Sequence, residues 1–349
     1  MSRNLSGLAV VALTVLAAPQ AGLRAQTLTA DALAASEVAQ RHIASAMALA
    51  GDDLVREAEA LCSAAGTGRA TLVRQAAGLP LIEDHVVEPT RVFENLYFIG
   101  FNDVGAWAID TSEGLILIDT LNSPDEARDV LVPGLEKMGL DPSQIEYAII
   151  GHGHNDHVGG ASYLQETYGV RLLMSAPDWD LALSGERPDR PRPTRDMVVT
   201  DGQQLTLGDT TVTLALTPGH TAGTLTMLVP VKHRGRTHTA VIFSGTQMPS
   251  QDAVANFQRV FDNFARPLNA EAALSGHPGV ADLDQADLDR CLAAGGPCWT
   301  SGANTLELQA QLRQQYPQGP HPLLMGQERF NRYTSIMLEC ASAKLAAME

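Results

Sequence analysis

Six consecutive residues of this sequence form its clearest candidate for a metal-binding motif. Residues 152–157 read His-Gly-His-Asn-Asp-His and follow an apolar run, residues 147–150, that is typical of a buried strand. In an extended segment alternate side chains share a face, so His152 and His154 can bind one cation, while Asp156 and His157, at a turn into a helix, can bind a second. Imidazole nitrogen and carboxylate oxygen are ligands that zinc accepts. If no ion were bound, burial of so many polar groups would leave hydrogen bonds unmet or like charges close together.

Two later histidines complete the roughly six ligands that a two-ion site needs. His220 lies in residues 217–224, which read TPGHTAGT and follow a strand-like segment, and we predict that it is the third ligand of the first ion. His277 lies in a tight turn between a glycine and a proline, and we assign it to the second ion. The other histidines have no such setting and are interpreted as surface or packing residues: His42, His85, His233, His238 and His321.

These motifs together resemble the metallo-β-lactamase superfamily over roughly residues 91–277. Within it the chain is most similar to the third metallo-β-lactamase subclass, whose members are exported and hold two zinc ions with histidines and one aspartate. The resemblance implies an α/β fold, a four-layer αββα sandwich with the metals at one edge. It places one Zn²⁺ on His152, His154 and His220, and the other on Asp156, His157 and His277.

The same resemblance gives a role to Asp119, which ends the apolar run of residues 115–118. It is similar to the supporting carboxylate of the family, which hydrogen-bonds near the site without touching the metal. An ordinary turn residue at a strand end is the alternative interpretation.

The residues after the predicted strand 239–243 help to choose among relatives. In this stretch the glyoxalase-II-like thioesterases, many lactonases and the nuclease relatives carry a metal-bridging aspartate, and the first lactamase subclass carries a cysteine. The chain has neither residue type here, which favours the lactamase-like group, and its candidate substrate contacts are Ser244, Thr246 and Gln247. The oxygen-reducing relatives have a glutamate in place of His154, so iron redox chemistry is not expected.

The implied mechanism uses the ions instead of a protein nucleophile. Two ions about 3.5 to 4 Å apart lower the pKa of a shared water to about 7 and give a hydroxide that attacks a carbonyl. Asp156 is the expected catalytic residue, because it can both ligate the second ion and orient that hydroxide. Three functions remain open. Hydrolysis of a β-lactam amide is favoured; a metal-dependent lactonase, esterase or thioesterase is the alternative, and a non-catalytic binding protein is disfavoured by the intact ligand set.

The first residues predict export. Arg3 precedes an apolar run at residues 7–18, and small residues follow up to Ala25, so residues 1–25 are expected to be a signal peptide. The mature protein is then periplasmic or secreted, with no membrane span. Four cysteines suit that oxidising compartment. We prefer the pairs Cys62–Cys340 and Cys291–Cys298, with the other two pairings and unpaired thiols as alternatives.

The charge of the chain and its pattern of helices and strands limit the substrate class and the domain organisation. The chain has 24 basic and 40 acidic residues and shows no basic track, which argues against nucleic acid and leaves a small molecule as the expected substrate. Residues 26–88 are predicted to form a helical N-terminal arm, with helices at 30–50 and 54–64, and residues 89–349 a catalytic domain of alternating strands and helices. The sequence leaves the oligomeric state open.

Overall fold

The computed structural model describes residues 28–64, 85–184, 191–277 and 321–349, with a few further positions between residues 64 and 85 and between residues 277 and 321. Residues 1–25, the predicted signal peptide, lie outside the described residues. So do Cys291 and Cys298, the second predicted disulfide pair. In the part of the chain that is described, no helix combines the length and the apolar character needed to cross a membrane.

Seven strands form the first sheet, in chain order from one edge to the other. Their bounds are β1 Val86–Phe93, β2 Leu96–Phe101, β3 Gly105–Thr111, β4 Gly114–Ile118, β5 Ile145–Ile149, β6 Arg171–Ser175 and β7 Met197–Val199. The pairs from β1 to β4 are antiparallel, and those from β4 to β7 are parallel. The parallel half is apolar on both sides, as expected for strands that are covered by two layers.

Five strands form the second sheet, in the order β12-β11-β10-β9-β8. Their bounds are β8 Gln203–Leu207, β9 Thr210–Leu216, β10 Leu225–His233, β11 Arg236–Phe243 and β12 Ala270–Ser275. The pairs from β8 to β11 are antiparallel, whereas β12 runs parallel to β11. Outside both sheets, Thr67–Gly68 pairs in parallel with Trp299–Thr300.

Ten helices have bounds that the structure describes, and they flank the two sheets. Their bounds are α1 Ala30–Ala35, α2 Glu37–Ala50, α3 Val55–Cys62, α4 Pro124–Glu126, α5 Val132–Lys137, α6 Asn155–Val158, α7 Ala161–Tyr168, α8 Ala176–Ser184, α9 Gln251–Val260 and α10 Gln327–Met348. A π-helical turn, Ala127–Leu131, joins α4 to α5, a second, Phe261–Ala265, extends α9, and a 3₁₀ turn, Pro142–Gln144, precedes β5.

Alternating side chains of the strands build three cores. In β4, Ile116 and Ile118 point into a core shared by the two sheets, while Leu115 and Leu117 pack against the helices on the outer face. The second sheet alternates in the same way, and the side chain of Phe243 packs outward against α9 and α10. Helices therefore cover both outer faces of a sheet pair, and the predicted αββα sandwich is confirmed.

The N-terminal arm packs against the last helix. Cys62 at the end of α3 forms a disulfide with Cys340 in α10, which confirms the first predicted pair. The prediction of one helix over residues 30–50 is wrong, because the chain is extended at Ser36 and two helices result. Its hydroxyl accepts a hydrogen bond from Ala39 N–H and so begins α2, an alternative that serine side chains offer to a continuous helix.

The strands that matter for chemistry end at one edge of the sandwich. The carboxyl ends of parallel strands β4 and β5 meet there, and so do those of parallel strands β11 and β12. Two backbone hydrogen bonds tie the sheets together at this edge, from Leu225 N–H to Gly151 O over 2.8 Å and from Gly105 N–H to Gly276 O over 2.9 Å. Loops from both sheets are thereby held within reach of one another.

Candidate metal centre

All six predicted ligands come together at this edge, although they come from both sheets. The loop after β5 carries His152 and His154, and the short helix α6 presents Asp156 and His157. The loop after β9 carries His220, and the turn after β12 carries His277. Each ligand lies in a loop, turn or short helix that follows a strand with buried apolar residues, so core packing helps to fix its position.

The first cluster consists of His152, His154 and His220. The Nε2 atom of His220 lies 3.1 Å from Nε2 of His152 and 3.1 Å from Nδ1 of His154. The three ligand atoms lie within 4.8 Å of one another. His152 is buried, and the other two side chains are partly exposed. This is the trio that the sequence assigned to the first ion.

The second cluster consists of Asp156, His157 and His277. The Nε2 atoms of the two histidines are 3.1 Å apart, and Oδ2 of Asp156 lies 3.7 Å from that of His157 and 3.5 Å from that of His277. His157 is fully buried, whereas the Asp156 side chain keeps 20% of its surface exposed. The cluster therefore has a buried wall and a carboxylate that reaches solvent.

In the second cluster, hydrogen-bond acceptors facing the Nδ1 atom of each histidine decide which ring nitrogen carries the hydrogen. The Nδ1 atom of His157 faces Oδ2 of Asp119 over 2.7 Å, and Nδ1 of His277 faces the backbone oxygen of Asp103 over 2.7 Å. A carboxylate and a carbonyl only accept, so each Nδ1 carries the hydrogen. Both Nε2 lone pairs then point at each other and at Asp156. Such a convergence of acceptors is stable only around a cation.

The spacing of these atoms fits metal ions. Ligand nitrogens that lie about 2.0 to 2.1 Å from a tetrahedral zinc ion are about 3.4 Å apart, which is close to the distances of 3.1 Å in both clusters. The rings of His152 and His157, one from each cluster, have centroids 4.0 Å apart. The two sets of donors are therefore neighbours, as a pair of ions sharing one bridging group requires. Imidazole and carboxylate donors suit divalent ions of the zinc type.

Burial favours the neutral form of three of the ligand histidines, His152, His220 and His277. It is the largest cause that lowers the pKa of His152 well below its ordinary value, and it lowers the pKa of His220 to about 4. Neighbouring histidines add to both shifts, because two positive rings repel each other. Burial also lowers the pKa of His277. Neutral rings offer lone pairs to a cation without first releasing a proton.

Asp119 lies where a supporting carboxylate would be needed. It is fully buried, its Oδ2 faces His157, and its Oδ1 accepts a hydrogen bond from Gly151 N–H over 2.8 Å. Its backbone is left-handed, with φ of 64°, as is that of Leu121 with φ of 67°. Non-glycine residues adopt this conformation at a cost. The strained segment also fixes α6, since Thr120 donates to His157 O from both N–H and hydroxyl.

The predicted substrate contacts differ in position. Ser244 is only 2% exposed and lies beneath the first ligand loop, where its Oγ would be 1.6 Å from a Cβ placed on Gly151. Thr246 is partly exposed and Gln247 exposed. A hydrogen bond between the Gln247 side chain and the ring of His220 raises the pKa of that ring and opposes the effect of burial, so Gln247 contacts a ligand residue. Beside His220 opens a cavity of about 340 Å³, lined by residues 218–222 and by the beginning of α9.

Two functional contacts escape the sequence analysis. The backbone oxygen of Asp103, which orients His277, leaves no trace in the side-chain sequence. Asp178 in α8 is 1% exposed and accepts a hydrogen bond from the hydroxyl of Thr221, the neighbour of His220. The segment 176–184 carries no motif, and only the tertiary contact distinguishes Asp178 from the other acidic residues.

Residues 99–231 match the family model described as the metallo-beta-lactamase superfamily. Among curated proteins, the chain is 32% identical over 129 residues to a hydroxyacylglutathione hydrolase of Xanthomonas axonopodis pv. citri, covering 37% of this chain and 43% of that protein. It is 25% identical over 201 residues to a hydroxyacylglutathione hydrolase of Pseudomonas syringae pv. syringae, covering 54% of this chain and 70% of that protein. The chain spans less than half the length of the first of these curated relatives.

Solved structures share the architecture. The subclass B3 metallo-beta-lactamase BJP-1 of Bradyrhizobium japonicum superposes with a TM-score of 0.54 at 23% identity, covering 72% of this chain and 90% of that one. Native FEZ-1 metallo-beta-lactamase from Legionella gormanii superposes with a TM-score of 0.55 at 20% identity, covering 72% and 93%. At these identities the likeness shows a common fold. Residues 99–231 therefore match the metallo-beta-lactamase superfamily, and the described residues share the sandwich fold of these solved structures.

Proposed function

We propose that this protein is a hydrolase that binds two zinc ions and opens the amide bond of β-lactams. The observation that carries the proposal is the pair of adjacent donor clusters, built from five histidines and one aspartate. Among the described residues, Asp156 is the one carboxylate in the metal-binding groups. Residues 244–247, which follow β11, contain neither the bridging aspartate expected of a thioesterase nor a cysteine.

The residues of the chain divide the work between them. When bound, the ions lower the pKa of water and polarise a carbonyl oxygen. Asp119 and the oxygen of Asp103 keep the rings of His157 and His277 turned so that their Nε2 atoms face the cluster. Asp156 reaches solvent and is placed to orient an attacking water at its carboxylate. The cavity beside His220 is in the size range of small-molecule sites and is placed to receive the substrate.

We also propose that the protein acts in the periplasm or outside the cell. The signal-like residues 1–25 support this location, and so does the disulfide between Cys62 and Cys340, because such bonds persist in oxidising compartments. Its acidic composition, with a net charge of −16, argues against a nucleic-acid substrate.

A thioesterase or another esterase is the second candidate. It is favoured by the curated relatives, which are named hydroxyacylglutathione hydrolases and match up to 32% identity. The same two clusters could serve that reaction, because a lactam, a lactone and a thioester all present a carbonyl carbon to attack. The residue type at Ser244 is the feature of the site that weighs against it.

The experiment compares substrates on one preparation. The protein lacking residues 1–25 is purified, its bound metal is measured, and a chromogenic cephalosporin, a homoserine lactone and a glutathione thioester are assayed in parallel. We expect two zinc ions per chain and turnover of the cephalosporin. His152→Ala should abolish this turnover, whereas His42→Gln, which changes a histidine paired with Glu339 outside the site, should leave it intact.

Rapid cleavage of the thioester or lactone without the cephalosporin would instead establish the second candidate. A preparation without bound metal that still turns over substrate would contradict both.

A further inference from the structure

One buried carboxylate in the structure has no part in the ligand set. Asp178 lies in the first turn of α8, on the outer side of the two ligand loops, and is 1% exposed. Burial raises its pKa, and a hydrogen bond from the Thr221 side chain opposes that shift. A buried carboxylate is costly unless it is hydrogen-bonded or paired with an opposite charge.

Its first set of contacts is with the loop that carries His220. The hydroxyl of Thr221 donates to Oδ2 of Asp178 over 2.7 Å and lies 2.7 Å from the hydroxyl of Thr224. Gly223 permits this approach, since a Cβ at that position would lie 1.9 Å from the hydroxyl oxygen of Ser175 and 3.1 Å from Asp178 Cγ. The loop is therefore seated on α8 immediately after its metal ligand.

Its second set of contacts is with the loop that carries His152 and His154. The backbone N–H of Gly153, between these two ligands, favours the charged form of Asp178, as does that of Gly223. The Oδ1 atom of Asp178 is buried and has no partner at hydrogen-bond distance among the described residues. A Cβ on Gly153 would lie 2.5 Å from Asp178 O, so this loop also rests on α8.

We propose that Asp178 is a positioning residue that holds the two loops of the first cluster in register. The three ligands of that cluster come from these two loops, and Asp178 interacts with both beside the ligands. The second cluster has separate supports in Asp119 and the oxygen of Asp103. Loss of Asp178 should therefore weaken the first ion and spare the second. The inference rests on the metal centre of the proposed function and makes no use of the substrate.

Asp178→Asn is the direct test, because the amide keeps the size of the side chain. One amide atom can still accept from Thr221, but the other presents hydrogens to the N–H groups of Gly153 and Gly223. Asp180→Asn is the matched control, since Asp180 lies on the same helix with an exposed side chain paired with Arg195. Supporting groups of this kind typically change metal affinity about 10- to 100-fold.

The affinities of the two clusters for Zn²⁺ are measured separately in two variants, each of which lacks one ligand of the other cluster. In His277→Ala, the more tightly bound Zn²⁺ reports the first cluster, and in His220→Ala it reports the second. We expect Asp178→Asn to weaken Zn²⁺ binding about 10- to 100-fold in the His277→Ala background and less than threefold in the His220→Ala background. Affinity is read by competition with a chromogenic chelator, and the visible spectrum of the Co²⁺ form should change only in the first background.

Thr221→Val and Thr221→Ser keep the proposal testable if Asp178→Asn does not fold. The valine variant removes the hydroxyl that donates to Asp178 and should reproduce the selective loss, whereas the serine variant keeps it and should not. Equal weakening in both backgrounds, or no weakening in either, would overturn the proposal. A protein that binds both ions, shows the selective loss and hydrolyses no β-lactam would refute the proposed substrate and leave the role of Asp178 standing.

Discussion

Replacement of Asp119 by asparagine tests how the second cluster is held. Both carboxylate oxygens accept hydrogen bonds in a fully buried site, Oδ2 from His157 Nδ1 over 2.7 Å and Oδ1 from Gly151 N–H over 2.8 Å. An amide of the same shape has one acceptor. The backbone N–H of Gly151 can only donate, so the amide oxygen stays there and the NH₂ group turns towards His157.

This change acts on the metal through the tautomer of His157. An NH₂ group facing Nδ1 favours the form with its hydrogen on Nε2, the atom that must offer a lone pair to the second ion. If His157 instead keeps its hydrogen on Nδ1, two buried donors, this N–H group and the amide NH₂ group, face each other, which costs about 1–3 kcal/mol. We therefore expect Asp119→Asn to weaken the second ion about 10- to 100-fold, or roughly 1.4–2.7 kcal/mol, and to leave the first ion within about threefold.

The assay is a stepwise Zn²⁺ titration against a chromogenic chelator. Asp209→Asn is the control, because Asp209 forms a surface pair with Lys232 and its side chain is 42% exposed. The control should bind both ions as the unmodified protein does. Two ions bound by Asp119→Asn with unchanged affinity would refute the tautomer argument, and preferential loss of the first ion would show that the clusters are assigned wrongly.

Three further outcomes are expected. Gly151→Ala would place a Cβ 1.6 Å from Ser244 Oγ and should weaken metal binding. The additional replacement Ser244→Gly removes that oxygen and should restore much of the binding. A double-mutant cycle that shows no coupling between the two positions would contradict this packing. Joint replacement of Cys62 and Cys340 by serine should lower the free energy of unfolding in urea by about 2–4 kcal/mol, because the bond joins residues that are 278 positions apart in sequence. The hydrolysis rate should stay unchanged, because the bond lies between α3 and α10 and neither helix carries a metal ligand. Removal of metal by a chelator should abolish hydrolysis while circular dichroism stays constant, since the apolar cores contain no ligand, and added Zn²⁺ should restore the rate.

The comparisons bear differently on fold and on substrate. Solved metallo-beta-lactamases with TM-scores of 0.54 and 0.55 share the sandwich at 20–23% identity, whereas the curated sequence relatives are named for a different hydrolysis. Fold analogy does not select between their substrates, and the stretch 244–247 of this chain contains neither an aspartate nor a cysteine.

The sequence by itself determined the ligand types and the local part of their geometry. Within residues 152–157 the spacing along an extended segment and into a short helix decides which side chains share a face. This geometry is local, because it depends only on the backbone conformation of these six residues. Alternating apolar residues likewise determined the strands, as Leu115 to Ile118 show, because the pleat assigns successive side chains to opposite cores. The helix boundary at Ser36 was missed because capping by a serine competes with helix continuation over one residue.

Only the tertiary structure decided how distant segments meet. His220 and His277 lie 66 and 120 residues from their nearest partners in the two clusters, and the packing of two sheets brings them together. The same packing turns Ser244 under the ligand loop, turns the backbone of Asp103 towards His277, and buries Asp178 against both loops. Contacts of this kind involve backbone atoms and side chains without a local pattern, so they arise only when the apolar cores have fixed every strand in register.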